Sequence, residues 1–595
     1  MNLSGEVTVR APLAGTVISI AVSAGDAVSP GGELLVLESM KMEHAVVAVD
    51  AGKIRNVTAR VGQTVTAGMP LVIIEPREHD VADGGQQAEA DIDGIRPDLD
   101  EAIRRHHIGS DSYRRSETER RHEEGRRTAR ENIADLVDDG SFVEYGALAI
   151  AAQRRRRSLD DLIERTPADG LVTGTATVGR LPVAVMSYDY TVLAGTQGIQ
   201  NHRKTDRLFD LARREHLPVV IFAEGGGGRP GDTDTASVAH LDVTTFRLLA
   251  GLNGRVPLVA IVSGYCFAGN AALAGACDVI IATEGSSLGM GGPAMIEGGG
   301  LGAVAPGDVG PMSVQVGNGV VDVLVRDDAA AVATAQQYLR YFAGPGDKPA
   351  DHADQRVLRH LVPENRVRAY DVRPVIEAVF DPGSVLELRP EFGTGIITAL
   401  AMLGGGAVGV IANNPRHLGG AIDGDAADKA TRFLELCESH RIAIVSLLDT
   451  PGFMVGPDAE KTATVRRFGA MFVAGARLTV PVCAVVLRKA YGLGAMAMAG
   501  GDLKAPLLCV AWPTGEFGGM GLEGAVRLGY RRELDAIADP AERQERYEEL
   551  VAASYERGQA LSTAAAFEID DVIDPADTRS VLITSLGRAG RPRDH

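Results

Sequence analysis

The chain has 595 residues, a formal charge of −19, 45% hydrophobic residues, 71 glycines and a single tryptophan. That length exceeds what one hydrophobic core organises, so roughly two to four domains are expected. The acidic balance and scarce aromatics exclude a surface built for phosphate charge and base stacking.

The N-terminus "MNLSGEVTVR" has no apolar signal region, and no run of about 18 apolar residues follows anywhere, so a soluble, cytoplasmic protein is expected. The first 75 residues contain a repeat. A shift of 37 positions lays Gly15, Gly25, Val28, Gly31, Leu34 and Glu38 on Gly52, Gly62, Val65, Gly68, Leu71 and Glu75 without a gap. Both copies are short β-branched runs separated by Gly, Pro and Asp turns, which predicts strands closing into a small, all-β flattened barrel with quasi-two-fold symmetry. Lys41 lies at the joint of the copies, within "ESMKMEH" (38–44), and is expected at an exposed hairpin tip. These residues resemble the Met-Lys-Met hairpin of biotinyl carrier domains, and the methionines favour biotin over lipoate. The resemblance implies a biotin carboxyl carrier domain over 1–76, with biotin joined to Lys41 by a biotin ligase. Without it, Lys41 reads as an ordinary hairpin lysine.

Residues 77–100 are acidic, bear Gly and Ala, and lack apolar periodicity, which is linker composition. As flexible coil they would span roughly 25–30 Å. The segment 77–119 is therefore read as a linker and lead-in helix. Basic stretches at 104–127 and 154–157 suit either a solvated face or a docking surface for an acidic partner or a CoA phosphate. Helical periodicity resumes over 126–146.

A second repeat, at an offset of 225, occupies the remaining chain. "LVTGTATVGRLPVAV" (171–185) aligns with "IITALAMLGGGAVGV" (396–410), and "GYCFAGNAA" (264–272) with "KAYGLGAMA" (489–497). Each half alternates continuous apolar runs with amphipathic helices, which predicts an α/β architecture with covered sheets. Glycine clusters follow the strands, where the chain turns toward a helix N-terminus whose unpaired amides suit a developing oxyanion. The same glycines would also serve tight strand–helix packing. The five cysteines, Cys266, Cys277, Cys437, Cys483 and Cys509, contain no CxxC pair, so neither a metal site nor a disulfide framework is indicated. Cys266 has no suitably spaced histidine and reads as a small core residue. Glu297 and Glu523, each followed by glycine, read as helix starts.

The segments "VVIFAEGGGGRPG", "SGYCFAGNAALAGACD", "LLDTPGFMVG", "LRKAYGLGAMAMAG" and "AWPTGEFGGMGLEGAV" resemble the biotin-dependent acyl-CoA carboxyltransferases, whose subunits carry two crotonase-like domains in tandem. The resemblance implies an acyl-CoA half over 120–350 and a biotin half over 351–590. It implies carboxyl transfer from carboxybiotin to the α carbon of an acyl-CoA (acetyl, propionyl or longer), with the cofactor as base and backbone donors stabilising two oxyanions, each donor worth roughly 3–4 kcal/mol. Carried over by motif, the amides of Gly269 and Asn270 hold the acyl-CoA enolate, and those of Gly494 and Ala495 hold the ureido oxygen of biotin. Many relatives have glycine at Asn270, and asparagine tolerates a positive φ if one is needed there. His202, Lys204 and Arg229 are open between CoA-phosphate binding and local ion pairing. Met496 and Ala497 replace an aromatic and an aspartate of propionyl-type relatives and are expected to line an apolar acyl pocket.

No length remains for an ATP-dependent carboxylase domain, so a separate biotin carboxylase subunit, holding ATP and Mg, is expected. The resemblance also implies a homo-oligomer, a hexamer of transferase cores. The rival readings are a biotin-dependent acyl-CoA decarboxylase or transcarboxylase subunit, and a non-catalytic biotin carrier scaffold.

Overall fold

Strand boundaries reproduce the shorter repeat: Gly15–Ile20, Ala27–Val28 and Glu33–Ser39 recur as Gly52–Val57, Thr64–Val65 and Pro70–Pro76. The computed structural model describes residues 5–77, 93–237, 239, 241–344 and 352–589, in two units, Met1–Pro97 and Asp98–His595. Most of the expected linker (78–92) and the expected boundary between the larger halves (350/351) fall outside the described residues.

In the first unit, one four-stranded sheet runs Val7–Arg10, Pro70–Pro76, Gly52–Val57, Ala27–Val28. The other runs Met42–Val47, Glu33–Ser39, Gly15–Ile20, Thr64–Val65. Each sheet therefore takes strands from both copies, and neither copy completes a sheet alone. Val17, Leu34, Leu35, Leu37, Ile54, Leu71, Val72 and Ile74 fill the space between the sheets. Gly15 and Gly52 are required by this packing: a Cβ would stand 2.6 Å from the Glu38 carbonyl oxygen in one copy and 2.5 Å from that of Glu75 in the other. Strands Glu33–Ser39 and Met42–Val47 form a hairpin whose two-residue turn is Met40–Lys41, with φ of 52° and 65°. Positive φ at both central positions matches the right-handed twist of the flanking strands.

The second unit repeats a larger motif. Strands Leu171–Val178 and Leu181–Tyr188 recur 225 positions on as Ile396–Leu403 and Gly406–Asn413, and helix Ile199–Glu215 recurs as Gly424–Ser439. The first sheet is ordered Val323–Val325, Val279–Thr283, Leu258–Val262, Val219–Phe222, Leu181–Tyr188, Leu171–Val178, Val143–Glu144. Its strands pair in parallel from Val323–Val325 through Leu181–Tyr188. The second sheet matches it, with Ile396–Leu403 antiparallel to Gly406–Asn413 and parallel pairing beyond. Side chains alternate between faces, as strands require. Val183, Val185, Val220 and Ile261 join Ile396, Leu400, Ile411 and Ala484 in one apolar cluster shared by both halves. Ala184, Met186, Val219 and Ile221 face a layer belonging to the first half, and Ile397, Ala399, Val485 and Leu487 one belonging to the second. Polar bridges cross the same seam: Arg389 to Asp322 at 2.7 Å and His440 to Asp278 at 2.9 Å. Among the described residues no helix is long and apolar enough to cross a membrane.

The long helices carry a lysine at the same repeat position, buried in both halves. The Lys204 ammonium donates to the carbonyls of Ala168, at 2.9 Å, and Leu171, and burial pushes its pKa down to about 8. Lys429 is 1% exposed, its Nζ has no hydrogen-bond partner, and burial pushes it down to about 7. Since its folded value lies below the ordinary 10.5, wild-type stability should rise as pH climbs from about 7 toward 10.5, where only the unfolded chain still holds the proton. Lys429→Met should therefore stabilise the protein by about 1–3 kcal/mol at pH 6–7. The gain should shrink by pH 9, as read from denaturant midpoints at the two pH values.

Candidate active site

The first half builds its site where a strand turns straight into a helix. After Leu258–Val262 the chain continues through Gly264, at φ 110°, into the short strand Tyr265–Phe267, turns at Ala268 and enters helix Gly269–Gly275. Ala268 has φ 50° and ψ −117°, a conformation disfavoured for a residue with a Cβ. Its N–H is held by the Gly289 carbonyl at 3.0 Å. The amides of Gly269 and Asn270 lie in the first turn, where a helix offers no acceptor of its own, and no side chain caps them. A Cβ on Gly269 would collide with Gln197 Oε1, so Gln197, whose Nε2 donates to the Tyr188 hydroxyl at 3.0 Å, would have to move to admit one.

The loop Gly225–Gly228 walls this site. Gly225 N–H donates to Tyr265 O at 2.7 Å, Phe267 N–H donates to Gly225 O at 2.9 Å, and Gly227 N–H donates to Asn270 Oδ1 at 3.0 Å. Asn270 is fully buried and lies in the helix with no positive φ. Conformational tolerance therefore does not explain an asparagine here. Its side chain fastens the glycine loop, and the strained residue is Ala268 beside it.

The second half reaches the same result with different contacts. Strand Val482–Tyr491 passes into helix Gly492–Met498 through Gly492 at φ 58°. Gly494 and Ala495, both buried, occupy the first turn of that helix, again without a side-chain cap. A Cβ on Gly494 would stand 2.7 Å from the Gly452 backbone and 2.9 Å from Phe453 N, so loop 450–453 packs directly on the helix. Gly452 N–H is tied to Thr450 Oγ1 at 3.0 Å, and the Tyr491 hydroxyl donates to Glu516 at 2.9 Å.

Other candidate residues lie as follows. Lys204 is turned inward, as above, and Arg229 is enclosed against Asp169 at 2.6 Å and the Thr196 carbonyl at 2.8 Å. Neither is free to meet a CoA phosphate; burial against local partners accounts for both. His202 is half-buried, with Nδ1 2.9 Å from Thr245 Oγ1, and burial lowers its pKa. Met496, with Leu503, Phe517 and Leu522, lines a cavity of about 460 Å³ beside Ala495. Ala497 does not line it and packs into the shared core. The Cys266 thiol is buried and pushed up by desolvation. Glu523 does begin a helix and accepts from Tyr555 at 2.7 Å, whereas Glu297 is exposed near the end of its helix. The basic stretch 104–127 is not wholly solvated: Arg121 and Arg114 reach inward to Glu224 and Asp189. Sequence reading missed these pairs, whose members are separated by 103 and 75 positions.

Lys41 itself has no hydrogen bond or ion pair among the described residues, and the adjacent Met40 is 95% exposed. Two crotonase-like halves with matching first-turn amides, in a chain whose strand domain presents an exposed lysine, are those of a biotin-dependent carboxyltransferase. Residues 120–589 match the carboxyl transferase domain and residues 7–74 the domain of biotin-requiring enzymes, and the chain belongs to the carboxyl transferase family. It is similar to a single-chain, multi-domain long-chain acyl-CoA carboxylase of known structure, at 58% identity and TM-score 0.78. That match covers 98% of this chain and 56% of the other, so the chain spans little more than half of that protein. It also resembles the transcarboxylase 12S hexamer with methylmalonyl-CoA bound, at 30% identity and TM-score 0.73 over 84% of this chain and 98% of that one. The beta4 subunit of a biotin-dependent long-chain acyl-CoA carboxylase from Mycobacterium tuberculosis is 32% identical, over 78% of this chain and 89% of its own length.

Gly494→Ala tests the packing of the second site, because its Cβ meets backbone that cannot swing away. Carboxyl transfer should fall by roughly 100-fold, with far-ultraviolet circular dichroism unchanged.

Proposed function

We propose that the chain is the carrier and carboxyltransferase component of an acyl-CoA carboxylase acting on long acyl chains. The observation that carries this reading is the recurrence of glycine-built, uncapped first-turn amides at one repeat position in both halves, in a chain that also presents Lys41 at an open hairpin tip. Lys41 suits covalent biotin because its amine is unpaired and both turn residues project into solvent. Biotin, once attached, supplies an activated carboxyl group.

The chain's own residues do the rest. The amides of Gly269 and Asn270 hold the thioester oxygen of the acyl-CoA as its α carbon gives up a proton, and loop Gly225–Gly228 keeps them aimed. The amides of Gly494 and Ala495 would hold the ureido oxygen of biotin. Both pairs are fixed before the reaction begins, which is where donors of this kind gain their effect. Met496, Leu503, Phe517 and Leu522 line one part of a cavity whose other part carries Ser554, Arg557, Thr563 and Glu568, and methionine adapts to varied chain shapes. Similarity to two long-chain acyl-CoA carboxylases supports the substrate class. The partners in this reading are a biotin ligase, a biotin carboxylase that holds ATP and Mg, and further copies of the chain in a hexamer like that of the 12S relative, in the cytoplasm.

Protein from biotin-ligase-competent cells should show a biotin-sized mass increment that Lys41→Arg abolishes; an unmodified wild-type chain would sink the carrier reading. With a biotin carboxylase, ATP and labelled bicarbonate, label should enter long-chain acyl-CoAs in preference to acetyl-CoA. Label found only on propionyl-CoA would overturn the chain-length reading. Release of label from a carboxylated acyl-CoA without fixation would favour a decarboxylase or transcarboxylase.

A further inference from the structure

The residue that opens the first glycine loop is a buried glutamate. Glu224 is 7% exposed, and its carboxylate fills the space where Gly264, at φ 110°, lacks a side chain. Arg121 meets it with both guanidinium ends, at 3.0 and 2.6 Å. Arg121 comes from helix Arg115–Glu123, is itself 6% exposed, and also donates to the Arg127 carbonyl at 3.1 and 3.0 Å. Its guanidinium lies 6.0 Å from the centre of the Tyr190 ring. A helix ahead of the whole α/β repeat is thus fastened to the start of the loop that walls the acyl-CoA half-site.

From Glu224 the connection to the site is short. Its carbonyl lies 3.5 Å from Asn270 Nδ2, Gly225 is bonded on both sides to the strand that leads into the helix, and Gly227 N–H is held by Asn270 Oδ1. Any shift of Glu224 moves the loop, and the loop is tied to the residue whose amide completes the pair. We infer that Glu224 is a positioning residue for the acyl-CoA half-site: its ion pair with Arg121 sets the Gly225–Gly227 loop and, through the Asn270 side chain, the aim of the Gly269 and Asn270 amides. This rests on the reading of that half-site given above.

The charged and titratable groups around Glu224 are few. Arg121 and Arg126 approach from the lead-in segment, Asp328 from the start of helix Asp328–Arg340, and Cys266 and Tyr190 from the sheet side. Burial raises the carboxyl to about 6, against the pull of the two arginines. Acidification through that range removes the carboxylate and leaves Arg121 without its partner. The arrangement thereby gives carboxyl transfer an acidic limb near pH 6.

The test uses the full biotinylated chain with its biotin carboxylase, measuring transfer to acyl-CoA from pH 5.5 to 8.5. Glu224→Gln should lower kcat by roughly 10- to 100-fold with KM for acyl-CoA nearly unchanged, and its profile should lose the acidic limb. Arg121→Lys keeps a positive charge but not the two-point contact; it should lower kcat less and retain the limb. Wild-type-like kcat in Glu224→Gln, or an acidic limb that persists in it, would overturn the inference. So would a rate loss in both variants matched by an equal loss of folded protein in thermal melts. A wild-type chain that transfers no carboxyl group would instead remove the half-site reading, and this inference with it.

Discussion

Backbone approaching backbone too closely for a Cβ is the constraint around which both units are arranged. In the carrier, Gly15 and Gly52 let two sheets that trade strands close on one thin core. In the larger unit, Gly494 lets loop 450–453 lie on the helix that bears it, and Gly269 leaves room for Gln197. At Gly494 the neighbours are main chain, which has few alternatives to move into, whereas at Gly269 the neighbour is the Gln197 side chain, itself held by its bond to the Tyr188 hydroxyl. A side-chain donor would need its rotamer fixed by further contacts. Here the fixing is done by the fold.

The two halves have reached this end by different means. The second uses glycine against glycine, whereas the first inserts the Asn270 side chain between loop and helix and accepts strain at Ala268. A non-glycine residue in that φ/ψ region carries a penalty on the order of 1–3 kcal/mol. The first site also recruits an ion pair from outside the repeat, through Arg121 and Glu224. The second has Asp449 buried against Arg488 and Lys489, all from its own sheet. Duplication supplied the frame, and the fastening of each loop is particular to its half.

Much of this was legible in the sequence because both repeats run over long stretches without insertions. An ungapped offset preserves strand boundaries and glycine positions, so Lys41 at a hairpin tip and the strand–turn–helix places of Gly269 and Gly494 could be read directly. Burial of charge could not. Lys204 and Arg229 look like any surface cations in a helix and a loop, and the carbonyls and carboxylates that enclose them come from distant segments. The basic run at 104–127 misled in the same way, since nothing local distinguishes Arg121 from its solvated neighbours. Met496 lines a cavity, and Ala497, the next residue, turns about 100° away into the core, a difference that a flat sequence does not display.

The apolar cluster common to both α/β halves makes them obligate companions during synthesis. Residues of the first sheet such as Val185 and Ile261 are packed by helices Ala129–Leu136 and Asp328–Arg340 of their own half, and the cluster continues to Leu400 and Ala484 of the second, so the earlier half leaves the ribosome with only its seam toward the second half uncovered. That seam stays open until well over a hundred further residues have been made, an interval in which aggregation competes with folding. Tandem duplication within one chain answers this difficulty, since it delivers the complementary surface at high effective concentration. The order of the gene is thereby part of how the protein reaches its native state.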